Sequence, residues 1–335
     1  MNFLVIGLGS MGKRRIRCLK ALNYSQITGY DLRQDRIDEA KKKYQIITSQ
    51  SLENINLKGF DAIIISTPPD LHTHFAKIAI DNNIPCFIEA SVVLDEVMEL
   101  KKYNKNKVFV APSCTLKFHP VIQEIKKTVD QNLFGKITNF SYHSGQYLPD
   151  WHPWEKVEDF YVSKRLTGGA REIVPFELTW LCDLVGFPIK CNGVFNKTID
   201  CHANIEDSYS LSLRYLDKVG SIIVDVASRF ATRSLIINFE FGQLRWNWED
   251  DYYKIFDVKN NKWDKFNYKK SLAENGYNSN IIEDMYVNEI KSFIDGIIDP
   301  DKFPNNIDND LKILQILNEI ENSDGGFNKW IIAKD

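Results

Sequence analysis

The sequence lacks the marks of several protein classes. None of its six cysteines forms a CxxC pair or a Cys/His cluster with zinc-ligand spacing, so they are expected to be reduced and free of metal. No apolar run approaches the roughly 18 residues of a membrane helix. A secretory signal is also missing, and the formal net charge of −3 argues against a nucleic-acid partner. These absences predict a cytoplasmic protein without a membrane or nucleic-acid partner and without a metal.

The 335 residues are enough for about two domains. Over residues 1–120, short apolar runs alternate with amphipathic helical stretches, which predicts an α/β domain with a doubly wound parallel sheet. Residues 121–335 are expected to form an α+β domain for substrate binding and oligomerisation, with an open, mostly antiparallel sheet and a C-terminal helix that packs back on the first domain. Its strands are expected at 137–144, 209–215, 220–227, 235–239 and 243–248, and its first long helix at 170–184.

A glycine-rich turn follows the first apolar strand. Gly7 permits a tight turn, Gly9 lets the backbone approach a pyrophosphate, and Gly12 lets the next helix pack closely on the strand. The free N–H groups at the helix start then face the phosphates. Asp31 ends the second apolar run, close to the offset expected for the acid that binds the adenosine ribose. The pattern predicts a dinucleotide site.

With these motifs, the chain resembles the glucose–fructose oxidoreductase and inositol dehydrogenase family of NAD(P)-dependent oxidoreductases. The resemblance extends over essentially the whole sequence and implies a Rossmann domain, a sugar or nucleotide-sugar substrate, and a homodimer or homotetramer. Residues 145–154 look like members that act on sugars for surface glycans. The resemblance rests on residues 7–12, 66–72, 87–89, 117–120, 168–169 and 285–289.

The resemblance also implies roles for individual residues on the cofactor side. Asp31 would accept hydrogen bonds from the ribose hydroxyls and favour NAD, because it would repel a 2′-phosphate. Arg33 and the basic run 13–15 leave NADP open, although such a run is usually a solvated helix face. Glu89 would lie near the nicotinamide ribose. The predicted cofactor-binding residues are Gly7, Gly9, Ser10, Met11, Gly12, Asp31, Arg33, Ser66, Thr67, Pro68, His72 and Glu89.

Two departures from the family concern proton transfer. Ala90 stands where the family normally has a lysine, and Phe176 or Glu177 stands where it has a histidine, depending on a one-residue register choice. Hydride transfer from an alcohol needs a proton acceptor, and a buried glutamate can act as one when its pKa rises. The predicted catalytic candidates are Glu172, Glu177 and Lys117, the last at the domain junction.

The aromatic segment around residues 147–154 is expected to lie over a substrate cleft, since aromatic faces suit sugar rings and bases. The leading hypothesis is an NAD(P)-dependent oxidoreductase acting on a sugar or nucleotide-sugar hydroxyl with an atypical catalytic set. Two alternatives stay open: a silent NAD-binding regulator or assembly protein, and a lyase, hydrolase or epimerase that recycles NAD. The predicted substrate-binding residues are Lys117, Tyr147, Trp151, His152, Trp154 and Arg171.

Overall fold

A computed structural model of the chain describes residues 1–151, 156–268 and 282–323. The chain divides into two compact units, Met1–His119 with Ser271–Lys312, and Pro120–Lys270 with Ile313–Asp335. Within the described ranges, no helix is long and apolar enough to cross a membrane. The helices are α1 (Ser10–Ala21), α2 (Gln34–Tyr44), α3 (His72–Asp81), α4 (Leu94–Tyr103), α5 (Pro120–Asp130), α6 (Ala170–Val185), α7 (Glu283–Ile298) and α8 (Ile307–Ser323).

The first unit contains a parallel sheet of six strands in the order β3-β2-β1-β4-β5-β6. The residues of β1 and β4 are fully buried and apolar, as expected for strands covered by helices on both faces. The strand order reverses at β1, and a dinucleotide binds at such a point in this topology. The strands are β1 (Phe3–Ile6), β2 (Ile27–Tyr30), β3 (Ile47–Ser49), β4 (Ala62–Ile65), β5 (Cys86–Ile88) and β6 (Val110–Pro112).

The second unit contains a sheet of eight strands in the order β14-β13-β12-β11-β7-β10-β9-β8. All neighbours in this sheet are antiparallel except the pair β7 and β10. The predicted fold class, a Rossmann sheet followed by a mostly antiparallel sheet, is confirmed. The strands are β7 (Ile137–Tyr147), β8 (Lys190–Asn196), β9 (Ser208–Arg214), β10 (Val219–Asp225), β11 (Ala227–Phe239), β12 (Gly242–Asn247), β13 (Tyr252–Asp257) and β14 (Lys262–Asn267).

Helix α6 covers one face of this second sheet, where it packs against β9 and β10. The residues that face the helix are large and apolar. Tyr142 meets Trp180 edge-on with ring centroids 5.2 Å apart, and Trp180 meets Trp246 at 6.4 Å. Edge-to-face pairs of this kind add to the stabilisation from burial. The packing fixes the rotation of α6 and therefore the direction of each of its polar side chains.

Candidate functional site

The glycine turn has the geometry that a pyrophosphate needs. Gly7 has a positive φ of 89°, and a Cβ there would lie 2.5 Å from the Ser66 carbonyl oxygen. A Cβ on Gly12 would lie 1.8 Å from the Gly7 carbonyl oxygen. At Gly9 the nearest atom to an added Cβ is the Arg36 guanidinium, at 3.4 Å. Two glycines are thus required for packing, while the third leaves room above the backbone, directly before α1 begins at Ser10.

Asp31 is fixed directly after β2. One carboxylate oxygen accepts a hydrogen bond from the Leu8 N–H at 2.7 Å and the other from the Arg33 N–H at 2.9 Å. The Arg33 side chain pairs with the exposed Asp35 at 2.7 Å. The Asp31 carboxylate therefore lies on the half of the sheet that binds the first nucleotide. Arg33, the cation named above as a residue for the 2′-phosphate of NADP, is paired with Asp35.

Residues after β4 form the adjoining part of the same edge. The buried His72 pairs through Nε2 with the Thr67 carbonyl oxygen at 2.9 Å, and burial lowers the pKa of its imidazole. The Thr67 hydroxyl is buried and has no hydrogen-bond partner among the described residues. Pro68 precedes a short helical turn, Pro69–Leu71. An unpartnered buried hydroxyl costs free energy, so a ligand atom that bonds to Thr67 would be favoured.

The basic run of α1 is not a solvated face. Arg14 and Arg15 are both buried. Arg15 donates two hydrogen bonds of 2.7 Å to the Glu89 carboxylate and one of 2.8 Å to Glu289 on α7. The general expectation for basic runs was wrong here because α7 supplies acids that the sequence places almost 300 residues downstream. Ser66 also donates to Glu89, at 3.0 Å.

Lys117 lies in a short helical turn after β6, and its ammonium group donates to the Pro304 carbonyl oxygen at 2.8 Å. Its charge acts on Asp310, a carboxyl that sequence reasoning missed. Burial raises the pKa of Asp310 to about 6, against the opposing effects of the hydrogen bonds from Ser91 and Asn305 and, least, of the Lys117 charge. Asn305 donates to the same carboxyl at 2.8 Å. No local sequence pattern indicates a role for Asp310, because this residue joins the first unit from a segment almost 200 residues after Lys117.

Glu172 lies in the first turn of α6. Its Oε1 accepts a hydrogen bond from the Tyr161 hydroxyl at 2.7 Å. Its Oε2 is buried and has no hydrogen-bond partner in the described parts of the chain. Burial raises the pKa of this carboxyl to about 7, although the Tyr161 hydrogen bond opposes the shift. One oxygen is thus held while the other remains able to take a proton.

Glu177, the second predicted candidate on α6, is fully buried among donors. Its carboxylate accepts hydrogen bonds from Tyr142 at 2.6 Å, Ser144 at 3.0 Å and the Trp180 indole at 2.8 Å. It also accepts one from the Arg233 guanidinium at 2.9 Å. With both oxygens occupied, this carboxylate ties α6 to the sheet.

The other predicted substrate-binding residues differ in their contacts. The Arg229 guanidinium lies 3.8 Å above the ring of Tyr147. Arg171 pairs with Glu321 at 2.7 Å and donates to the Leu166 carbonyl oxygen. The indole nitrogen of Trp151 is buried without a partner among the residues described. His152 and Trp154 lie outside the described residues.

A histidine–aspartate pair that the sequence analysis did not single out lies on the second sheet. His143 on β7 contacts Asp225 on β10 through Nε2 at 2.7 Å. The hydrogen bonds from His143 and from Ser228 lower the pKa of Asp225 against the effect of its burial. The parallel pairing of β7 and β10 brings these residues together across 82 positions. No group of three or more metal-binding side chains occurs in the residues that the structure describes.

Together, the strand order, the glycine turn and Asp31 define a dinucleotide-binding Rossmann fold. Residues 1–110 match the GFO_IDH_MocA family model, described as an oxidoreductase family with an NAD-binding Rossmann fold. The family resemblance predicted from the sequence, and NAD as the cofactor class, are thereby confirmed for this part of the chain. No curated protein matches the sequence.

Solved structures show the same fold over nearly the whole chain. An oxidoreductase from Agrobacterium radiobacter, solved with NAD+, L-tartaric acid and magnesium, has a TM-score of 0.83 at 11% identity, covering 97% of this chain and 96% of that one. A levoglucosan dehydrogenase with NADH and levoglucosan scores 0.82 at 15% identity, covering 97% of each chain. A UDP-N-acetylglucosamine 3-dehydrogenase from Acidithiobacillus ferrooxidans scores 0.77 at 17% identity, covering 98% of each.

Proposed function

We propose that the chain is an NAD-dependent oxidoreductase that acts on a hydroxyl or keto group of a sugar or nucleotide sugar, with Glu172 as its proton acceptor. The observation that carries the proposal is the Glu172 carboxyl, which has one oxygen held by Tyr161 and one buried and unpartnered. A carboxyl with a pKa of about 7 is suited to exchange protons near neutral pH.

The cofactor-binding residues fit NAD. In this proposal the pyrophosphate lies above Gly9, and Asp31 accepts hydrogen bonds from the adenosine ribose hydroxyls. The Thr67 hydroxyl and Glu89 lie on the half of the sheet that binds the second nucleotide. When bound, NAD supplies the acceptor or donor of a hydride. The remaining predicted cofactor residues are proposed to line the same edge: Ser10, Met11, Gly7, Gly12, Arg33, Ser66, Pro68 and His72.

The reaction determines where a proton must be taken up and released. Oxidation of a secondary alcohol to a ketone releases a hydride from carbon and a proton from oxygen. We assign the proton to Oε2 of Glu172, while Tyr161 keeps the carboxyl oriented through Oε1. In the reverse direction, protonated Glu172 returns the proton to the carbonyl oxygen. In this proposal, Glu172 takes over the proton transfer for which the chain has Ala90 in place of the family lysine.

A sugar-type substrate is supported by what similar proteins are named for, levoglucosan and UDP-N-acetylglucosamine dehydrogenation. The chain's own support is Trp151, whose indole N–H is buried without a partner among the described residues and would donate a hydrogen bond to a sugar oxygen. We place the reaction in surface glycan biosynthesis. The predicted homodimer or homotetramer stays a prediction, to be checked by light scattering during size-exclusion chromatography.

A direct assay tests the proposal. Purified protein is mixed with NAD or NADP and a panel of free sugars, UDP-sugars and GDP-sugars, and the absorbance of reduced nicotinamide is followed. At least one substrate is expected to give turnover that Glu172→Gln lowers about a hundredfold. Calorimetry with NAD alone provides the control for cofactor binding. Full NAD binding with no turnover across the panel would contradict the proposal.

One observation favours a second candidate. Ala90 removes the lysine that the family normally has next to Glu89, which supports an NAD-binding regulator without redox turnover. The assay separates the two functions, because a regulator binds NAD and leaves every sugar unchanged. Chromatography of the sugars after incubation adds a third outcome: a changed sugar without net reduced nicotinamide indicates a lyase, hydrolase or epimerase that recycles NAD.

A further inference from the structure

Glu89 stands on the second-nucleotide half of the first sheet. Strand order reverses at β1, so the strands on one side of it serve the first nucleotide and the strands on the other side serve the second. Asp31 follows β2 on the first side. Ser66 and Glu89 directly follow β4 and β5 on the second side. In NAD, the second nucleotide carries the nicotinamide, whose ring is positively charged only in the oxidised form.

Glu89 is held there by a residue behind it. Arg15 is fully buried and gives the Glu89 carboxylate two hydrogen bonds of 2.7 Å, in the fork geometry that only arginine provides. The Glu89 side chain keeps 13% of its surface accessible, whereas those of Arg15 and Glu289 have none. Glu89 is thus the member of the group that reaches the surface.

Arg15 is in turn anchored by α7. Glu289 accepts the third Arg15 hydrogen bond at 2.8 Å, and its remaining acceptor positions are filled by the Ser113 hydroxyl, the Cys114 N–H and the Thr115 hydroxyl at 2.6–2.9 Å. The Arg15 guanidinium and the Cys114 N–H can only donate, and the Ser113 and Thr115 hydroxyls complete the set of partners around Glu289. The guanidinium is therefore held from behind and its fork points outward at Glu89.

The charges in this group are ordered from inside to outside. Negative Glu289 lies innermost, positive Arg15 lies between, and negative Glu89 lies at the edge. The other two arginines of α1 are matched elsewhere, since Arg14 and Arg17 pair with Glu283 at 3.4 and 2.9 Å. With Ala90 following Glu89, the chain places no cation beside it in sequence.

We infer that Arg15, anchored by Glu289, is a positioning residue that fixes the Glu89 carboxylate where it favours the positively charged, oxidised form of the nicotinamide cofactor. This inference rests on the NAD site of the proposed function but not on turnover. Because an opposite charge is stabilised and a neutral ring is not, NAD+ gains affinity from Glu89 and NADH does not.

The test measures dissociation constants of NAD+ and NADH without any sugar, by calorimetry and by NADH fluorescence. Glu89→Gln is expected to weaken NAD+ binding about fivefold and to leave NADH binding nearly unchanged, as for a single partly screened charge contact. Arg15→Lys, which cannot hold Glu89 through a fork, should shift the ratio of the two constants in the same direction. Ser66→Ala removes the third donor to Glu89 and should give a smaller shift.

The matched control is Arg17→Lys, on the same helix and paired with the same neighbour helix, but without contact to Glu89. It should leave the ratio unchanged. Equal weakening of NAD+ and NADH in Glu89→Gln would overturn the inference and leave a structural ion pair. If Arg15→Lys fails to fold, Glu89→Gln still decides. A selective loss of NAD+ affinity in a protein without turnover would support the inference while the proposed function fails.

Discussion

Two regions of α6 carry the same side chain in opposite environments. At the start of the helix, Glu172 has a single hydrogen bond from Tyr161 and an empty oxygen. Five residues later, Glu177 accepts four hydrogen bonds, one of them from the Arg233 guanidinium. The number of donors around each carboxyl thus distinguishes the two positions, because Glu172 keeps one buried oxygen without a partner in the described residues, whereas both Glu177 oxygens are hydrogen-bonded.

The largest expected effect is on stability at the Glu177 end. Glu177→Gln leaves the Arg233 guanidinium buried without its counter-charge, so the free energy of unfolding should fall by about 3–5 kcal/mol. Urea unfolding followed by tryptophan fluorescence measures it, because Trp180 lies in the same contact set. A loss no larger than that of Glu172→Gln would erase the distinction between the two regions.

Next in size is the effect on catalysis at the Glu172 end. Glu172→Gln keeps the shape of the side chain but removes the proton acceptor, so kcat should fall about a hundredfold. Stability should be unchanged or slightly higher, since the variant no longer buries an ionisable oxygen without a partner. Steady-state rates and a thermal melt, taken on the same preparation, check both statements.

The pH dependence gives a third, smaller effect. Sugar oxidation needs ionised Glu172, so kcat/KM should fall about tenfold per pH unit below about 7 and level off above it. The effect of Glu172 on folding stability has the opposite dependence on pH. The unfolded chain loses this proton near its usual pKa of 4.5, so Glu172 costs stability as pH rises from about 4.5 to about 7. The stability of the natural chain relative to Glu172→Gln should decline over that window.

The smallest effect concerns the two tyrosines. The Tyr161 hydrogen bond lowers the pKa of Glu172, so Tyr161→Phe should move the acid limb of the pH profile upward by about half a unit. Tyr142→Phe removes a donor from Glu177 instead and should reduce stability without moving the limb. A pH profile of each variant decides, and a shift in both would show that the two carboxyls are coupled.

Most of the fold could be predicted from residues that lie close together in the sequence. The glycine turn and Asp31 were predicted from the spacing of residues 3–31 alone, and the fold class followed from alternating apolar runs. Strands β8, β13 and β14 were not among the predicted strands, and β8 carries Gly193 in its middle, where glycine usually weakens a strand. In the structure, a Cβ at Gly193 would lie 2.7 Å from the Ser210 carbonyl oxygen, so the close approach of β9 requires the glycine.

The candidate site was less predictable because its decisive contacts join distant positions. Glu172 and Glu177 look alike in sequence, and only Tyr142 and Arg233, brought in by the second sheet, distinguish them. The Arg15–Glu289 pair spans 274 residues. A run of basic residues therefore suggested a solvated face, and nothing within a helical turn of Arg15 indicates otherwise.

That long-range pair has a consequence for how the protein is made. On the ribosome, the second sheet is complete soon after residue 267 emerges, whereas Arg15 receives its last partner only when residue 289 does. The unit that starts the chain therefore closes only after α7 emerges, and the second unit also waits for its C-terminal segment, because Arg171 pairs with Glu321 on α8. Fragments cut near residue 110 or 120, however well they match the NAD-binding family, would release a folding unit with an arginine lacking part of its counter-charge in the core.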